Sequence, residues 1–161
     1  APVSWARRCV SETGLTLFRD KIDEIMEQVK CPVAVFVNRQ YREGTTVSFV
    51  LGGMIDLFLF SYLDKMLQNG HSVRLFLFDT DDEEFRGRID DLQVRYPEQT
   101  MIVWFEGVED LVTEEKDGLL IMSHLSYTKL SEDEAVMREL SSLLVIRRNK
   151  NTGDKNEGLE N

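Results

Sequence analysis

Short apolar runs, each about one strand long, alternate along this chain with segments of helical periodicity, and that alternation restricts the fold more than any other feature. Val33-Ala34-Val35-Phe36-Val37 is uniformly apolar and rich in β-branched residues, as a buried strand should be. Further strands are expected over 45–51 (Thr45 to Leu51), 72–78, 100–105, 118–122 and 143–146. Between them the pattern predicts helices from Thr13 to Val29, from Met54 to Gln68, from Thr80 to about Arg95, and from Ser131 to about Leu140. Strands apolar along their whole length and joined by helical crossovers make a parallel sheet buried on both sides. The expected class is therefore α/β, an open, mostly parallel sheet with helices on both faces.

Punctuation supports these boundaries. Pro32 stops the first helix and Pro97 the one that begins near Thr80, because proline lacks the helical donor. Gly70 after Asn69 is a left-handed helix cap. Thr80 with Asp81-Asp82-Glu83-Glu84 sets carboxylates at a positive helix end. Ser131 with Glu134 has capping-box spacing. From 149 to 161 the chain is nearly free of apolar residues, and a disordered tail is expected there.

Composition removes several functions. The chain has 161 residues, enough for one ordinary domain, and 29 acidic against 19 basic residues give a net charge of -10. That field repels phosphate backbones and anionic lipid, so nucleic acid is not an expected partner. Cys9 and Cys31 form no CxxC pair, which argues against zinc and a disulfide framework and for a reducing compartment. The most apolar window, Met54 to Leu67, is interrupted by Asp56 and Asp64; it is too short for the roughly 20 apolar residues of a membrane span. No signal-peptide pattern opens the chain. It starts on Ala1, not Met, as either a trimmed chain or a piece of a longer polypeptide would.

In an open α/β sheet, ligands sit beyond the carboxyl ends of the strands, so the tips to inspect are Gly52-Gly53, Asp79-Thr80, Glu106-Gly107 and Ser123-His124. Two glycines let backbone approach a ligand closely, although a tight turn onto a helix uses them equally well. Asp79 can accept from a ribose hydroxyl or simply begin an acidic helix start. Ser123 and His124 are sequence neighbours, whereas a nucleophile and its base converge from separate segments; no catalytic residues and no metal ligands are expected. Leu57-Phe58-Leu59-Phe60 is either core or a docking face. His71 follows a helix end and should lie at the surface.

Lys30-Cys31-Pro32-Val33-Ala34-Val35-Phe36-Val37 resembles the closing strand of a universal stress protein-like domain. Together with the order of elements from about Leu15 to Arg148, the chain resembles the C-terminal cytoplasmic region of monovalent cation:proton antiporters of the CHX and Kef-neighbouring type. Two universal stress protein-like, Rossmann-like units follow the membrane part there. The resemblance implies that 1–44 holds the last helix and strand of a first unit plus a connector, and that 45–148 is the second. It also implies an antiporter membrane domain in the same polypeptide, at the cytoplasmic face of the cell membrane, and a homodimer. Nucleotide-binding members carry a Gly-rich loop after the fourth strand. The matching stretch, Ser123 to Ser131, has no glycine, which removes the φ > 0 geometry that wraps phosphates, though Ser123, Ser126 and Thr128 offer hydroxyls.

The reading is a non-catalytic regulatory or sensor domain that modulates transport of Na+ or K+ against protons. Its candidate ligand crevice comprises Gly52, Gly53, Asp79, Thr80, Ser123, His124 and Ser126, with a nucleotide as the cofactor to test. The alternatives are a stand-alone universal stress protein-like nucleotide-binding protein and a small α/β enzyme.

Overall fold

A computed structural model of the chain describes residues 15–78 (backbone alone for 15–20), 81–113 and 116–148. Asp79, Thr80, Cys9 and the segment 149–161 lie outside the described residues. The elements in chain order are α1 (Leu15–Gln28), β1 (Val33–Val37), β2 (Val47–Leu51), a 3-10 turn (Met54–Leu59) running into α2 (Phe60–Gln68), and β3 (Val73–Phe78). They continue with α3 (Glu83–Arg95), β4 (Thr100–Phe105), a second 3-10 turn (Val108–Leu111), β5 (Leu119–Ser123), α4 (His124–Leu130), α5 (Glu134–Glu139) and β6 (Ser142–Arg147).

The strands form one six-stranded sheet in the order β1-β6-β5-β2-β3-β4. All pairs are parallel except β1–β6, which is antiparallel with Val35 opposite Val145. Alternate residues of each strand face opposite sides, and each side carries its own core. Phe49, Leu51, Leu75 and Leu77 pack under Leu59, Leu63 and Leu67 and under Phe85, Ile89 and Leu92 of α3. On the other side, Val50, Leu120, Met122, Leu143 and Val145 pack with Ile22, Ile25 and Met26 of α1, Tyr127 and Leu130 of α4, and Met137 of α5. The molecule is thus an α/β fold with helices on both faces of a mostly parallel sheet, as the alternation predicts.

The assignment of 1–44 to a preceding unit meets a specific arrangement. β1 belongs to the same sheet as the strands of 45–148, and α1 to the same core. Helix α1 precedes β1 as α5 precedes β6, and the two helices touch on the same face. The antiparallel register centres on the Val35–Val145 pair, and each of the two strands follows a helix, of 14 residues in α1 and six in α5. An arginine from each strand region reaches the helix that precedes the other strand. The Arg147 guanidinium at the end of β6 donates to Met26 O and Val29 O, and to Cys31 O at 3.1 Å, capping the end of α1. Arg39, just past β1, donates to Met137 O at 2.7 Å and Leu140 O at 3.0 Å, capping the end of α5. Such carbonyls have no partner within their own helix. Burial lowers the Arg39 pKa and the nearby Tyr127 opposes that shift.

Two helix starts differ from the sequence expectation. Ser131 does not cap the helix before β6; Asp133 does, its carboxylate accepting from Val136 N at 3.1 Å. Ser131 instead ends α4, a helix that occupies most of the stretch compared with a glycine-rich loop. Asp82, which accepts from Phe85 N, is the cap of α3.

Candidate functional site

The strand order reverses between β2 and β5: from β2 the chain moves outward to β3 and β4, and from β5 it moves the other way to β6. Their parallel pairing, Phe49 opposite Ile121, makes Gly52 and Ser123 leave the sheet side by side. This is the switch point at which open α/β sheets place their ligands. It gathers Gly52, Gly53, Ser123 and Ser126. His124 starts α4 beside them but turns away, its Nε2 lying 2.9 Å from Asp23 Oδ1 on α1. Asp79 and Thr80 lie outside the described residues.

The centre of the crevice is a residue the candidate set lacks. Asp56, on the 3-10 turn after Gly53, is completely buried. Its Oδ2 accepts from Gly52 N at 2.6 Å and from Ser126 Oγ at 3.0 Å. Its Oδ1 is also buried and has no hydrogen-bond partner among the described residues. Leaving a buried polar atom unsatisfied costs on the order of 1–3 kcal/mol, more for a charged group. A signal for this residue does exist in the sequence, since Asp56 stands three positions beyond Gly53 inside the most apolar window.

The two glycines now have distinct reasons. Gly53 has φ 125 and ψ -158, a conformation that side chains exclude. A Cβ on Gly52 would lie 3.3 Å from Asp56 Oδ2, 3.4 Å from Phe78 Cδ2 and 3.5 Å from Ser126 Oγ. The turn therefore lets a carboxylate of the same chain fold back onto the strand end. The hydroxyls are similarly engaged: Ser123 Oγ accepts from Ser126 N at 3.1 Å, and Thr128 Oγ1 donates to His124 O at 2.9 Å. The tip of β4 repeats the device at the surface, where Asp110 Oδ2 accepts from Glu106 N at 3.2 Å.

No family model, curated protein or solved structure matches the chain.

A second recess lies at the opposite, amino ends of β2, β3 and β4. It is an open groove of about 970 Å³ whose lining includes Tyr41, Glu43, His71, Arg74, Glu98 and Met101. Its acidic and basic side chains share no focus comparable to Asp56. Among the described residues, no group of three or more His, Cys, Asp or Glu side chains can hold a metal, and no helix is long and apolar enough to cross a membrane. In the apolar stripe Leu59 is fully buried, while Leu57, Phe58 and Phe60 are partly buried against the same core.

Proposed function

We propose that the chain is a non-catalytic regulatory or sensor domain of a monovalent cation:proton antiporter, working on the cytoplasmic side as the end of a pair of universal stress protein-like units. The observation that carries this reading is the seam between α1–β1 and α5–β6. Like units related by a two-fold axis present the same elements to each other, and their equivalent strands run antiparallel. The β1–β6 pair has that sense in an otherwise parallel sheet, with the two preceding helices on one face and the arginine caps exchanged. The sequence likeness of the Cys31-Pro32-Val33 strand suggests the antiporter, and the antiparallel β1–β6 pairing is compatible with α1–β1 being the end of a neighbouring unit.

The site chemistry supports binding over turnover. His124 pairs with Asp23, and the Ser123 hydroxyl accepts from Ser126 N in its own helix; the two side chains are not joined as nucleophile and base. A domain of this kind acts through unequal affinity for two states of its transporter. A coupling of about 1–3 kcal/mol changes that equilibrium by about 5–150-fold. The encoding reading frame upstream of Ala1 tests the assignment: it should continue into repeated apolar spans of about 20 residues. A start codon immediately before Ala1 would refute it.

A further inference from the structure

We propose that the switch-point crevice is an oxyanion site held shut by Asp56, and that a carboxylate or phosphate group enters it by displacing that side chain. The site rests on the sensor reading only for what the displacement would signal.

Two donors from different strand ends, Gly52 N–H and the Ser126 hydroxyl, converge on one carboxylate oxygen at 2.6 and 3.0 Å. A pair of neutral donors aimed at one point selects an oxygen carrying negative charge. Asp56 meets that demand from within the chain, and its side chain, with Ser126 and Phe78, fills the space over Gly52. An external oxyanion and Asp56 therefore exclude each other, by volume and by like charge.

The internal occupant fits poorly. Oδ1 is buried with no partner among the described residues, so that half of the carboxylate is desolvated without compensation from them. A ligand able to bring its own donors or solvent contact would not carry that penalty. Asp56 rides on Met54–Leu59, wound as a 3-10 turn at the amino end of α2, a form common at helix starts. Gly53, with φ 125, precedes it in a conformation open to glycine alone. Displacement of Asp56 thus moves the segment joining β2 to α2, which carries Leu59 into the core.

The experiment is a titration of the full, isotope-labelled chain with inorganic phosphate, acetate and AMP, following the Gly52 amide by NMR. Wild type, Asp56→Ala, Asp56→Asn and the double variant Asp56→Ala with Ser126→Ala are compared. Emptying the seat should tighten binding of at least one oxyanion by about tenfold or more, with the Gly52 amide shifting, and removing Ser126 as well should reverse the gain. Acetate against phosphate separates the two oxyanions, and AMP against phosphate separates a nucleotide from the free ion. Asp56→Asn keeps the shape if the alanine variant fails to fold, and should also bind more tightly than wild type. In wild type the Gly52 amide and those of Met54–Leu59 should shift together under excess ligand. Equal affinity in wild type and both variants overturns the proposal, as does a Gly52 amide that no oxyanion moves in any of them. Neither result touches the antiporter assignment, which the upstream reading frame decides.

Discussion

Arg147 and Arg39 do at the scale of one side chain what the antiparallel strands do at the seam. Each guanidinium supplies charged donors to carbonyls at a helix end that has none of its own. Hydrogen bonds to a charged partner contribute about 1.5–3 kcal/mol. Arg147→Ala should therefore lower unfolding stability by about 2 kcal/mol in a urea titration with unchanged slope. The exposed Arg138→Ala should stay within about 0.5 kcal/mol of wild type. Equal effects would mean that the cap contributes nothing. Neither arginine is legible as a cap in the sequence, where Arg39 falls in a polar loop and Arg147 at the end of a strand; the partner carbonyls lie about a hundred positions away. Asp56 was half legible. The acid inside an apolar window is visible, but its convergence on Gly52 and Ser126 depends on β2 lying beside β5.

Among the elements, the strands were the most legible, because continuous apolar runs fix both type and burial. Their ends move by one or two residues: β2 starts at Val47, and Thr45, read as its first residue, instead donates its hydroxyl to Arg42 O at 2.7 Å. The helix expected over Met54 to Gln68 divides into a 3-10 turn and α2, since Asp56 must fold back to reach Gly52. The stretch from Ser123 to Ser131 compares with a glycine-rich loop, and the sequence pattern predicts no helix in it before Ser131. It is helical because Ser123 caps it and Tyr127 and Leu130 anchor it in the core. The turn at Gly53 gives the test at this scale. Gly53→Ala should cost about 1–3 kcal/mol through its backbone conformation alone. Gly87→Ala, on α3 with open space where the methyl would go, should stabilise by about 0.5–1 kcal/mol. Thermal unfolding of the pair separates the two, and a neutral Gly53→Ala would mean that the turn is not held as described.

For the whole molecule, the sheet divides where its strand sense changes. Five parallel strands, β2 to β6, form the unit anticipated from the alternation, and β1 joins the same sheet antiparallel to β6. That pairing was out of reach of the sequence, since Val33–Val37 and Leu143–Arg147 show little beyond apolar character. The strand order also explains why the ligand tips divide. Gly52 and Ser123 flank the switch point, whereas Glu106 lies on the edge strand side, where Asp110 satisfies its amide. The proposed role is that of a domain that biases a transporter. Its most direct test is proton-coupled Na+ and K+ flux in vesicles bearing the whole encoded polypeptide, with and without residues 15–148. The account predicts that exchange persists after the deletion while its dependence on proton or cation concentration shifts. Flux indistinguishable from that of the intact polypeptide under every condition would contradict it.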